Sequence, residues 1–124
     1  MDPQETVKQY AHAWTQRTED DIRSVLAGCW ADTGSYTDPT TDPIVGVDAL
    51  ARLIHGFNQQ FPDATLAPTS AVDTHHLVGR FSWVITSPTP MVAGDVDLGT
   101  EIPGLDFVEF AEDGRIQRIV GFFG

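Results

Sequence analysis

The chain has 124 residues, 41% of them hydrophobic and 20% charged, and seven Lys+Arg against eighteen Asp+Glu give a net charge of −11. That length predicts one domain, spanning 1–124, large enough for one real hydrophobic core. The acidity excludes the clustered basic surface that phosphates require, so neither nucleic acid nor an anionic membrane is expected as a partner. A neutral or lightly charged small ligand is expected instead.

The first helix signal lies at the start of the chain. Asp2 can cap, Pro3 suits the first helical position, and Glu5 falls in the first turn, where acids are favoured. Val7, Tyr10, Ala11 and Trp14 then form one apolar stripe at helical spacing. Thr18-Glu19-Asp20-Asp21 reads as a second helix start, close to a capping box. Ile22, Val25, Leu26, Cys29 and Trp30 continue its period. Tyr36-Thr37-Asp38-Pro39 predicts a short strand running into a turn, since proline holds the residue before it extended. Gly46 opens a third helix, with Ala49, Leu50, Leu53, Ile54 and Phe57 on its buried face and Pro62 ending it.

Beyond Pro62 the pattern turns to strands. Residues 64–73 predict one and His75 to Thr86 a stronger one, with Leu77, Phe81, Trp83 and Ile85 on one phase and Val78, Arg80, Ser82 and Val84 on the other. Residues 87–104, with three prolines and three glycines, predict an irregular or interrupted connection. Leu105–Phe110 and Arg115–Phe123 flank Asp113-Gly114, a strong hairpin signal. Three helices followed by strands predict an α+β fold with antiparallel pairing. A curved sheet on helices makes a concave apolar pocket.

Cys29 excludes an intrachain disulfide and fits a cytoplasmic location, and its apolar context predicts an inert buried thiol. The polar N-terminus lacks the basic and apolar regions of a signal peptide, and no apolar run reaches a membrane span. No metal site is expected. His75 and His76 are adjacent and would point to opposite faces of a strand, so at most one could reach a pocket. His12 and His55 have no spaced carboxylate partner, and Asp95, Asp97 and Glu101 are too few for a calcium loop. No cofactor is expected either: Gly94, Gly99 and Gly104 have no phosphate-binding context, and no serine sits in a nucleophile elbow. Arg80 falls on the phase opposite Trp83 and is expected outside.

The helix–helix–Tyr36-Thr37-Asp38-Pro39 start, the Gly46 to Pro62 helix and the ending Leu105 to Ile116 together resemble the nuclear transport factor 2-like superfamily. The nearest likeness is to its SnoaL-like polyketide cyclase and ketosteroid isomerase branch. The resemblance implies a cystatin-like cone-shaped barrel: a curved, mostly antiparallel sheet wrapped around three helices, with a deep pocket at the wide end. It also implies a homodimer through the outer sheet face. The ketosteroid isomerase branch uses a carboxylate base with an oxyanion pair of one tyrosine and one protonated aspartic acid. By position these fall on Asp38, Tyr10 and Asp106, and Phe123 falls where an aromatic packs on the ligand. The superfamily's epoxide hydrolases carry an Arg-x-Asp and a late acid; Arg80-Phe81-Ser82 and Gly121-Phe122-Phe123-Gly124 lack both carboxylates.

Removing a proton next to a carbonyl creates an enolate, so a base and preorganised oxyanion donors are needed together. An apolar pocket keeps a carboxyl protonated as a donor. Asp106 has apolar neighbours, Leu105 and Phe107, whereas Asp38 lies in a polar turn. Each residue also has a plainer role. Tyr10 sits on a core stripe, Asp-Pro is good turn chemistry, and Asp106 could begin an exposed strand. The expected function is an isomerase or cyclase type of proton transfer on a small hydrophobic, steroid- or polyketide-like carbonyl compound. Asp38 is the expected base, and Tyr10 and Asp106 the expected oxyanion donors. Trp14, Phe57, Phe61, Trp83, Ile119 and Phe123 are the expected walls. The competing expectation is a binding or protein-interaction domain without catalysis.

Overall fold

A computed structural model of the chain describes residues 2–123. Local capping sets the helix starts. Asp2 accepts from Gln4 N at 3.1 Å ahead of α1 (Pro3–Ala13), and Thr18 Oγ1 accepts from Asp21 N at 3.1 Å ahead of α2 (Glu19–Ala27). α3 (Val47–Gln60) follows Gly46, whose φ of 96° suits glycine, and stops before Pro62.

α2 is shorter than its apolar period suggests. Gly28 caps it, Cys29 lies in the turn, and Trp30 begins β1 (Trp30–Asp38). The Trp30 indole N–H donates to Gly34 O at 3.1 Å, and the ring fills the space a Gly34 side chain would need. Both Cys29 and Trp30 remain fully buried, so the apolar spacing read the burial correctly but not the backbone.

The other strands are β2 (Thr41–Val45), β3 (Thr65–Pro68), β4 (Asp73–His75), β5 (Val78–Thr86), β6 (Val92–Ala93), β7 (Val96–Asp97), β8 (Glu101–Phe110) and β9 (Ile116–Phe123). The strand expected from His75 to Thr86 is broken. His76 and Leu77 have φ of 49° and 65° and form a two-residue turn between β4 and β5. Leu77 therefore leaves the buried phase and is exposed, while Phe81, Trp83 and Ile85 keep it. The expected hairpin at Asp113-Gly114 is present, with Ala111 N donating to Arg115 O at 2.8 Å.

The main sheet has the order β2-β1-β9-β8-β5-β3, with β4 also on β5. Its pairings are antiparallel except β1 with β9, which is parallel. The fold is α+β, as expected, but the curved sheet is open and not closed into a barrel, because β2 and β3 end it as edges. The helices cover one face over a core of Tyr10, Ile22, Leu26, Trp30, Leu50, Ile54, Phe81, Val108 and Ile119. The connection expected over 87–104 ends at residue 100, since 101–104 already pair with β5 as the start of β8; before them lies the small β6–β7 hairpin, which pairs with itself and is not part of the main sheet. No helix among the described residues is long and apolar enough to cross a membrane.

Candidate functional site

Strand alternation sends Tyr36 and Asp38 to the inner face at the end of β1, and Gly104 and Asp106 to the inner face of β8. Across the ladder Asp106 stands opposite Phe81 on one side and Gly121 on the other. Gly121 keeps this junction open: a Cβ there would lie 3.0 Å from Asp106 Oδ1 and 3.4 Å from Asp38 Cβ. The two carboxyl-bearing side chains thus flank one glycine.

They meet a cavity of about 780 Å³. Tyr10, Asp38 and Asp106 all line it, as do Trp14, Phe57, Phe61, Trp83 and Phe123. Ile119 does not. It is fully buried in the core, opposite Tyr36 and Val108 in the sheet, so it supports the floor from within. The aromatic wall comes in two groups. Trp14 packs edge-on against Phe57 at 5.6 Å, Phe57 against Phe61 at 5.6 Å, and Trp83 against Phe123 at 6.4 Å. Ala93, Val96 and Leu98, from the β6–β7 segment, close part of the remaining side.

The two carboxyl groups differ in their partners. Asp38 accepts three hydrogen bonds: from the Tyr36 hydroxyl on Oδ2 at 2.7 Å, and from Thr40 N and Thr40 Oγ1 on Oδ1 at 2.9 and 3.1 Å. The Thr40 amide contact is the Asx-type turn bond that Asp-Pro chemistry predicts. A carboxylate has about four acceptor positions, so one remains, on Oδ2. Asp106 is 5% exposed and accepts one bond, from Trp83 Nε1 to Oδ1 at 3.0 Å. Burial pushes its carboxyl up to about 7; the Trp83 bond opposes the shift and the Asp38 charge adds to it. Burial likewise holds the Tyr36 hydroxyl well above the ordinary phenol range, with Tyr10 and Asp38 contributing. The same is true of Tyr10, through burial first and the Asp106 charge second. Both phenols are therefore neutral donors at physiological pH.

The Tyr10 ring stacks on Trp30 at 5.7 Å, which fixes its direction, and its hydroxyl donates to no described residue. Trp14 Nε1 is buried without a regular hydrogen-bond partner. The Trp14 indole counteracts part of the rise at the Tyr10 hydroxyl.

Tyr36 and Thr40 were not singled out from the sequence. The period-two rule could have found Tyr36, since it shares a face with Asp38 two residues on. Neither His75 nor His76 lines the cavity. They sit at the exposed β4–β5 turn with their Nδ1 atoms 3.0 Å apart. Arg80 faces outward and pairs with Asp73 at 3.2 Å. Burial pushes the Cys29 thiol up to about 12, which makes it inert. Among the described residues no group of three or more His, Cys, Asp or Glu side chains is placed to hold a metal ion.

Three helices on one face of an open sheet, with a cavity between them, define a protein of the cystatin-like, nuclear transport factor 2-like fold. The chain belongs to the SnoaL-like domain family, whose profile matches residues 7–119. A proposed isomerase of the SnoaL-like family from Agrobacterium tumefaciens str. C58 superposes with a TM-score of 0.82 at 27% identity, covering 100% of this chain and 99% of that one. A protein of ketosteroid isomerase-like fold from Catenulispora acidiphila DSM 44928, solved in complex with trimethylamine, superposes at TM-score 0.76 and 12% identity, covering 97% and 85% of the two chains. A proposed SnoaL-like polyketide cyclase from Jannaschia sp. CCS1 gives 0.70 at 10%, covering 95% and 84%. The last two establish likeness of fold alone. No curated protein sequence matches the chain.

Proposed function

We propose that this protein is a cytoplasmic isomerase- or cyclase-type enzyme that moves a proton next to the carbonyl of a small hydrophobic, steroid- or polyketide-like molecule. The observation that carries the reading is the convergence of Tyr10, Asp38 and Asp106 on one aromatic-walled cavity, with the two carboxyl groups in unlike environments. The free position on Asp38 Oδ2 takes the α-proton. The C–H electrons become the enolate C=C bond, and the carbonyl π pair moves to oxygen. The Tyr10 hydroxyl and the protonated Asp106 carboxyl donate to that oxygen. Return of the proton from Asp38 to the same or a conjugated carbon completes the cycle. Tyr36 and Thr40 hold Asp38 in one rotamer and leave a single lone pair to act.

Oxyanion donors in a dry site each contribute about 3–4 kcal/mol to such a barrier. The electrostatic benefit depends on water exclusion, which the largely apolar lining favours. No metal or cofactor is required by this chemistry. For the quaternary state we propose a homodimer through the outer sheet face, where Leu105 and Phe122 are exposed and stand opposite each other in the ladder.

The test is exchange of the α-protons of 2-tetralone in deuterium oxide, followed by proton NMR. The native protein accelerates the exchange, and Asp38→Asn loses it while retaining the fold and the binding of the ketone. Binding without exchange in the native protein would instead identify a binding domain.

A further inference from the structure

Three charged side chains line the cavity among the described residues: Asp38, Asp106 and Arg52. Asp106 is buried on β8 and Asp38 is half-buried at the end of β1, whereas Arg52 lies at the solvent side on α3. Arg52 is exposed. Every other arginine is engaged. Arg23 pairs with Glu19, Asp20 and Asp48, Arg80 with Asp73, Arg115 with Asp32 and Asp113, and Arg118 with Glu109, while Arg17 donates to Pro62 O. Among the described residues Arg52 has no salt-bridge or hydrogen-bond partner, in a chain with eighteen acids. Its natural helical partner is Asp48, four residues earlier. Asp48 instead accepts from Arg23 Nε at 2.8 Å.

A second observation concerns the same helix face. Arg52, Gly56 and Gln60 are spaced by four residues and all line the cavity, parallel to the apolar row of Leu53, Phe57 and Phe61. Gly56 sits in mid-helix, where glycine is the poorest former after proline. Packing does not require it, since a Cβ there would meet nothing within 4 Å. Its effect is to lower the wall between a cation and an amide at the rim.

On the reading of the cavity given above, we infer that the substrate is an apolar carbonyl compound with an acidic tail, a carboxylate or similar monoanion, which leaves the cavity over Gly56 and is held by Arg52 with help from Gln60. The charges also set its direction. A neutral carbonyl end can approach the two acids, whereas an anionic end is repelled there and is attracted at the rim. The net charge of −11 disfavours such a ligand elsewhere on the surface, and Arg52 offsets that locally. Arg52 is thus a specificity-determining residue and takes no part in proton transfer.

The test compares 1-naphthylacetate with 1-naphthylacetamide, which share the apolar body and differ in charge, by calorimetry at low salt. The native protein prefers the acid by about two- to fivefold, the range an exposed, screened ion pair supplies. Arg52→Gln removes that preference and leaves the amide affinity unchanged. Arg52→Lys retains part of it, and Lys8→Gln, a charge removed elsewhere on the surface, retains all of it. Equal binding of acid and amide by the native protein overturns the inference but leaves the cavity reading intact. An equal loss of both ligands in Arg52→Gln also overturns it, because Arg52 then only packs. Binding of neither probe, together with no binding of 2-tetralone, overturns both readings.

Discussion

The indole N–H of Trp83 donates to Asp106 Oδ1 at 3.0 Å, although the two residues are not paired in the sheet. Trp83 stands opposite Gly104 and Asp106 opposite Phe81, so the bond runs diagonally across β5 and β8. Buried carboxyl, indole donor and facing glycine form one arrangement, and its parts fail together or separately in ways that can be measured.

The first prediction is a pH dependence of stability. The folded-state pKa of Asp106 is raised to about 7 from the ordinary value of 3.8. Below the ordinary value both folded and unfolded states carry the proton, and the group costs nothing. As pH rises, the unfolded chain releases the proton first, so stability falls between about pH 4 and pH 7 and the loss is complete above that window. Its full size is about 4 kcal/mol. Asp106→Asn keeps an acceptor for Trp83 and removes the titration. Urea unfolding at pH 5 and pH 8 should show a fall for the native protein that is much reduced in the variant. Because the Trp83 bond opposes the rise, Trp83→Phe should move the midpoint of the loss to higher pH. A variant with the native pH profile would refute the buried-carboxyl account.

A second prediction concerns Gly104. A Cβ there would stand 2.1–2.5 Å from three atoms of the Trp83 indole. The ring cannot stay, and both its bond to Asp106 and its contact with Phe123 are lost. Gly104→Ala should therefore destabilise by about 1–3 kcal/mol, the usual range for overpacking. It should also shift tryptophan emission to the red as the indole moves toward water. An unchanged urea midpoint with native emission would mean that the indole lies elsewhere.

The third prediction is a gain. His76 and Leu77 occupy left-handed backbone at the β4–β5 turn, where an L side chain costs about 1–2 kcal/mol per residue. Replacing the pair by Asn-Gly, the preferred residues of this two-residue turn, should stabilise the protein by about 1 kcal/mol or more. Proton-transfer activity should not change, because neither residue lines the cavity. A lower thermal midpoint in the double variant would count against the turn geometry.

That turn also shows where sequence reading stops. Asp2 and Thr18 declare their helix starts because a cap is a local bond to an amide two or three residues away. The Asp113-Gly114 hairpin is legible for the same reason. His76-Leu77 carries no turn residue, so tertiary pairing of β4 with β5 overrides a pattern that reads as one strand. Cys29 and Trp30 keep the apolar helical period because they are buried, and burial does not reveal whether helix or strand achieves it. Tyr10, Asp38 and Asp106 came from the resemblance to a family, not from spacing. The Tyr36–Asp38 contact follows from strand alternation once β1 is known to reach Asp38. The Trp83–Asp106 bond and the openings at Gly104 and Gly121 depend on strand register, which no local signal encodes.

The position of β9 has a consequence for how the chain folds. It lies between β1 and β8 and links them within the sheet. Before β9 pairs with β1 there are two separate pieces: β2–β1 under the helices, carrying Asp38, and β9–β8–β5–β3, carrying Asp106. Each can form from contacts nearer in sequence, but their union must close a long loop, which is slow. The joining of the two pieces rests on β1 with β9, the strand pairing most distant in sequence. With β1 and β9 apart, every helix and local hairpin can be native and Asp38 and Asp106 still do not meet.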